Sequence, residues 1–90
     1  MKDKDLKFIV DVFIGYWREK GLLDLVGKTG YMPPISLEKF KEVVKAKTKD
    51  ELISLLNKFG EKGLIMLLDT WVYPGHKAVP YVKNKVKNNQ

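Results

Sequence analysis

Cysteine is absent from the chain, arginine and histidine occur once each, and no uninterrupted aliphatic run exceeds the five residues Leu64 to Leu68. The missing cysteine removes disulfides, thiolate zinc sites and cysteine nucleophiles, and says nothing of compartment. A single histidine, His76, with scattered carboxylates gives no metal-ligand spacing, so no metal and no cofactor is expected. With Arg18 as the only arginine, bidentate reading of guanine has no obvious agent. A run of five apolar residues is far below the ~20 that cross a bilayer. The first seven residues interleave Lys2, Lys4 and Lys7 with Asp3 and Asp5, unlike a signal peptide. A cytoplasmic protein that does not engage a membrane is expected.

What is present is a chain of 90 residues, 44% hydrophobic and 31% charged, too apolar for general disorder and long enough for one core only. Its net charge of +6 is unevenly placed. Residues 1–26 are neutral, 27–49 carry +4, 50–76 carry −2, and 77–90 carry +4 with no acid. Clustered lysines favour phosphate or acidic protein surfaces.

Periodicity reads as helix over most of the chain. The first helix spans about Asp5 to Lys20, capped by Asp3 or Asp5 and stopped by Gly21. Its apolar residues cover roughly 240° of its circumference, far more than the ≳100° arc of an ordinary surface helix. That breadth makes it either the central helix or one with a second apolar face for a partner, and Phe8, Val12, Tyr16 and Trp17 are the candidate interface. After the glycine loop GKTGYMPP, Ser36 caps a second helix to about Ala46, and TKDE at residues 48–51 opens a third that Gly60 ends. Residues 63–75, GLIMLLDTWVYPG, are apolar throughout; the aliphatic half favours helix, and the β-prone TWVY leaves a strand open. Beyond Pro74 an extended segment packed through Val79, Tyr81 and Val82 is expected, then a frayed basic tail.

The resulting fold class is all-α, a small four-helix bundle-like domain over residues 1–82 with an extended basic tail at 83–90. The alternative is α+β if residues 64–73 form a strand.

Three motifs invite chemistry. Gly27-Lys28-Thr29 resembles the end of a phosphate loop, but the preceding glycine, Gly21, lies one residue too far back, and GYMPP does not open a helix; no nucleotide is expected. Asp69, Tyr73 and His76 would share a face of a continuous helix, but Pro74-Gly75 breaks it, so no catalytic residue is assigned and the protein is read as non-enzymatic. Asp69 within so apolar a stretch calls for a partner such as Arg18, or for a role in capping a turn.

The remaining signal is the lysines: Lys39, Lys41, Lys45, Lys47 and Lys49 on and after the second helix, and Lys77, Lys83, Lys85 and Lys87 around Tyr81. They suit a polyanion, with nucleic acid bound without sequence preference first and an acidic protein second. The expected function is therefore a binding protein, homodimeric through its first helix. The alternative is a regulator, inhibitor or adaptor that docks an apolar helical face and binds no nucleic acid.

Overall fold

A computed structural model of the chain describes residues 3–88. Among these, the order is α1 (Lys4–Glu19), α2 (Leu23–Thr29), β1 (Ile35–Ser36), α3 (Leu37–Val43), α4 (Lys49–Glu61), β2 (Ile65–Leu68), β3 (Trp71–Pro74) and α5 (Val79–Asn88). The strands form one antiparallel sheet in the order β1-β3-β2. The all-α expectation is thus corrected: the fold is α+β.

The correction rests on residues 63–75. They fold back on themselves, pairing Ile65 with Pro74, Met66 with Tyr73, Leu67 with Val72 and Leu68 with Trp71 across the two-residue turn Asp69-Thr70. Asp69 has φ 56°, a left-handed conformation that an aspartate tolerates better than most residues. The segment supplies its own partner strand, and Ile35-Ser36 adds a third against Val72 and Trp71. Asp69 sits exposed at the turn, so its charge stays hydrated and the compensating partner expected for it is not required.

Local signals explain the helices. The Asp3 carboxylate caps α1 by accepting from the Asp5 and Leu6 amides, and Gly21 follows at φ 71°. Ser36 caps α3 and Thr48 caps α4, each accepting from the amide three residues on. The second helix ends at Val43 and not near Ala46, with left-handed Lys45 turning the chain, and two further boundaries move. The left-handed residue after α4 is Gly63, at φ 74°, because the helix runs one residue past Gly60 to Glu61. The basic end is not an extended segment with a frayed tail: Val79–Asn88 is helix α5, anchored by buried Val82 and Val86. Residues 89 and 90 of the expected tail lie outside the described residues.

α1 runs through the middle of the fold. Ile9, Val10, Phe13, Ile14 and Trp17 are buried, α2 and α5 pack against the helix, and Phe8 meets the Phe59 ring of α4 at 6.0 Å. Its broad apolar circumference is therefore largely covered by its own chain. The remaining core comes from Val26, Ile35, Phe40, Leu52, Phe59, Leu64, Ile65, Val72, Ala78, Val82 and Val86.

Candidate functional site

The lysines of the middle segment are not equivalent. Lys39 is occupied: its ammonium lies 3.5 Å from the carboxylates of both Glu19 and Glu42, tying α3 to the end of α1. Partial desolvation opposes its charge, but the two glutamates outweigh that and raise its pKa. Lys41 is half-buried and, with Glu38 of the same helix, Lys49 and Thr70, lines a groove between α3, the start of α4 and the hairpin turn. Lys45, Lys47 and Lys49 are exposed, two in the turn that joins α3 to α4 and the third at its exit. Lys45 has φ 60°, which sharpens that turn.

The acids beside them differ in the same way. The Glu51 carboxylate accepts from the Lys47 amide at 3.0 Å while the Glu51 amide donates to Thr48 Oγ1, closing the capping arrangement. Its charge is directed at the helix start, where the macrodipole favours it. Asp50 is exposed and remains a negative neighbour.

The second lysine group is carried by α5 and its approach. Lys77, Tyr81, Lys83, Lys85 and Lys87 are all exposed, and residues 77–88 hold no acid. Burial of Ala78, Val82 and Val86 fixes the opposite side of the helix against the core, so these cations sit on an ordered scaffold. Lys83 and Lys87, one turn apart, border a shallow groove whose other wall is Val26, Gly27, Gly30 and Met32 of α2 and the loop after it. The two groups stand on different parts of the molecule: α5 packs on α1 and α2, whereas α3 adjoins β1 and β3 and α4 adjoins β2.

Gly27-Lys28-Thr29 falls in the last turn of α2, ahead of left-handed Gly30. Outward-pointing groups there are carbonyls, the negative end of the helix dipole. Thr29 Oγ1 donates to the Leu25 carbonyl at 2.7 Å and accepts from the Tyr31 amide at 3.1 Å. That is the geometry of a helix stop, opposite in polarity to a phosphate cradle. Asp69 and His76 lie beyond opposite ends of β3, whose four residues span roughly 13 Å, so the hairpin parts the pair that a helix would have aligned. Among the described residues no group of three His, Cys, Asp or Glu side chains is placed to hold a metal ion.

The four residues proposed for an interface on α1 divide. Trp17 is 0% exposed and its Nε1–H donates to the Pro33 carbonyl at 2.9 Å, which makes it core with no surface to offer a partner. Phe8, Val12 and Tyr16 line one shallow groove with Asp11, Gly15, Glu19 and Val43, with Val12 and Tyr16 half-buried. The larger apolar exposure is elsewhere, on β2 and β3, at Met66, Leu67, Leu68 and Trp71. A helix over residues 63–75 would not have this surface. The strand alternative accounts for Met66, Leu68 and Trp71, because alternate residues of a sheet face away from the core, whereas Leu67 lies on the face of buried Val72 and is exposed at the sheet's edge.

No helix among the described residues is long and apolar enough to cross a membrane. No protein-family model, curated protein or solved structure matches the chain.

Proposed function

We propose that the protein is a non-enzymatic binding module for nucleic acid, working in the cytoplasm and reading charge rather than sequence. The observation that carries this is the acid-free run of α5 and its approach, where Lys77, Tyr81, Lys83, Lys85 and Lys87 are all exposed and the helix is pinned by Val82 and Val86, with Lys83 and Lys87 on one flank of that buried stripe and Tyr81 and Lys85 on the other. Cations on a fixed helix neutralise phosphates without first losing the entropy of an ordering tail. Tyr81 offers a ring for stacking on an unpaired base.

A second contact comes from the α3-turn-α4 unit, a helix-turn-helix succession that brings Lys45, Lys47 and Lys49 to one end. The exposed residues of α4 include Asp50, Ser54, Asn57 and Glu61, with no arginine. A face of that composition is a poor reader of bases and supports binding through the backbone alone.

The test is duplex and single-strand binding over a salt series. The logarithm of affinity should fall linearly with the logarithm of salt, with a slope of about 0.9 per phosphate neutralised. Lys83→Ala/Lys85→Ala/Lys87→Ala should lower that slope by roughly 2–3, and Lys45→Ala/Lys47→Ala/Lys49→Ala by a smaller step, with scrambled sequences binding alike. An affinity that ignores salt and both triple variants would overturn the proposal and favour the regulator reading, which the apolar hairpin supports.

A further inference from the structure

β2 is an edge strand, and an unusual one. Among the described residues it pairs only with β3, it holds no charge and no proline, and three of its four residues are exposed: Met66 53%, Leu67 46% and Leu68 59%. Natural edge strands are commonly blunted by lysine, proline or a bulge, because their free backbone groups template further pairing. This chain has eleven lysines in residues 39–87 yet none between residues 63 and 76.

The backbone of this edge can be followed from two hydrogen bonds. The Gly75 amide donates to the Leu64 carbonyl, and the Leu37 amide donates to the Thr70 carbonyl. In an antiparallel ladder the inward and outward direction alternates residue by residue. Leu64, Met66 and Leu68 therefore turn their amides and carbonyls toward β3, while Ile65 and Leu67 turn theirs away; Ile65 is buried and Leu67 exposed, so Leu67 carries the accessible backbone of this edge. Leu67 stands near the middle of the exposed part.

We propose that β2 pairs with β2 of a second copy of this chain, antiparallel, about a two-fold axis through Leu67. Parity excludes registers that set opposite faces together, and the exposure of Met66, Leu67 and Leu68 beside a buried Ile65 centres the pairing on Leu67. An axis normal to the sheet keeps each face on its own side, so only residues with side chains on the same face may stand opposite one another. Leu67 opposite Leu67 of the partner copy satisfies this, and it sets two outward-turned residues to exchange reciprocal N–H···O=C bonds. Met66 then faces Leu68 of the other copy on the outer surface.

The packing agrees. Met66, Leu68, Trp71 and Tyr73 share the outer face of the hairpin, since Met66 pairs with Tyr73 and Leu68 with Trp71. Trp71 is 45% exposed. Two copies so joined continue this apolar face across the axis. Charge agrees as well: the only ionised side chain in residues 63–75 is Asp69, so two chains of net +6 meet at the segment free of lysine. The patch is on the order of a few hundred Å² per copy, below the ~800 Å² per partner of a standard stable interface. The dimer is accordingly reversible and dependent on concentration.

This inference is independent of nucleic-acid binding, and its tests use the protein alone. The chain has no cysteine, so Leu67→Cys introduces a single thiol. Directly opposed residues of a hydrogen-bonded pair lie about 5.5 Å apart at Cα, within the span of a disulfide. Under mild oxidation Leu67→Cys should give a covalent dimer in high yield, while Val12→Cys on α1 and Lys45→Cys in the α3-α4 turn should not. Sedimentation or light scattering of the unmodified chain should show mass rising toward twice the monomer with concentration. Leu67→Lys, which sets two ammonium groups against each other, should leave a monomer with unchanged circular dichroism. A monomer at all concentrations up to the millimolar range overturns the proposal, as does efficient crosslinking at Val12 without crosslinking at Leu67, or a Leu67→Lys variant that remains a dimer.

Discussion

The largest fully enclosed side chain is Trp17, and its hydrogen bond to Pro33 makes the indole more than a volume filler. Trp17→Phe keeps most of the apolar contact but leaves a buried carbonyl unpaired, which should cost about 1–3 kcal/mol. Trp17→Ala adds the cavity, for about 3–5 kcal/mol. Both are measured by urea denaturation, with the midpoint shifted and the slope unchanged. Two glycines make an opposite pair. A Cβ on Gly75 would strike the backbone carbonyl of Gly63 in the α4-β2 connection, and backbone does not yield. Gly75→Ala should therefore lose several kcal/mol or fail to fold. Gly15, inside α1 with nothing within 4 Å of an added Cβ, should gain roughly 0.5–1 kcal/mol as Gly15→Ala in a thermal melt. At this scale the sequence is readable where the signal is local: Asp3, Ser36 and Thr48 cap helices as their spacing to the next turn implies. It is unreadable where the constraint comes from a distant neighbour, as at Gly75, whose need for a hydrogen side chain arises from a residue twelve positions back.

Elements are joined here by charge as well as by packing. The start of α1 and the end of α4 are clasped by Lys62 on Asp5 at 3.0 Å and on Asp3 at 3.3 Å, with Lys58 on Asp5 at 3.4 Å. The Lys62 hydrogen bond, reinforced by Lys58 and opposed by partial burial, lowers the Asp5 pKa. Asp3 is lowered foremost by the Leu6 amide, and Lys62 is raised foremost by Asp5. A carboxylate with a depressed folded pKa contributes stability that is fully present above its ordinary value near 3.8 and lost as pH falls through the folded value. Stability should accordingly be flat from pH 7 to 5 on account of these groups and decline below about pH 4. In the paired lysine the sign reverses, and its share is lost only above its ordinary value of 10.5. Asp5→Asn should flatten the acid limb of a stability-pH curve while leaving α1 capped. A different measurement checks α5. Val86 is 2% exposed, so Val86→Ala should cost roughly 1–2 kcal/mol, where a frayed tail would lose nothing. Both α5 and the hairpin were hard to read for one reason. Short apolar segments take their conformation from what they pack on, and neither Pro80 at the start of α5 nor the aliphatic run of β2 states that environment. The strand alternative for residues 64–73 is open in the pattern, but the pattern does not show that the segment pairs with itself across two residues.

At the scale of the whole molecule the lysines set up a conflict that tests their purpose. The chain places its net charge of +6 largely in two regions, Lys45 to Lys49 and Lys77 to Lys87, while the intervening hairpin carries one acid. Like charges held together on ordered surfaces repel, and no buried charge is present among the described residues to offset them. Salt screens this repulsion within a Debye length of about 10 Å at 0.1 M. The melting temperature should therefore rise by a few degrees between 20 and 300 mM salt, although the exposed clasp at Asp5 and Lys62 weakens slightly over the same range. Removing the charges chemically should mimic the salt: Lys83→Ala/Lys85→Ala/Lys87→Ala should melt higher than the unmodified chain at 20 mM and nearly level with it at 300 mM. The same variant should bind duplex more weakly at both. Lysines retained against their own repulsion and needed for a polyanion would move those two observables in opposite directions, the usual mark of a functional surface held at the expense of stability. Lysines serving only as a solvated coat would leave the duplex measurement where it was.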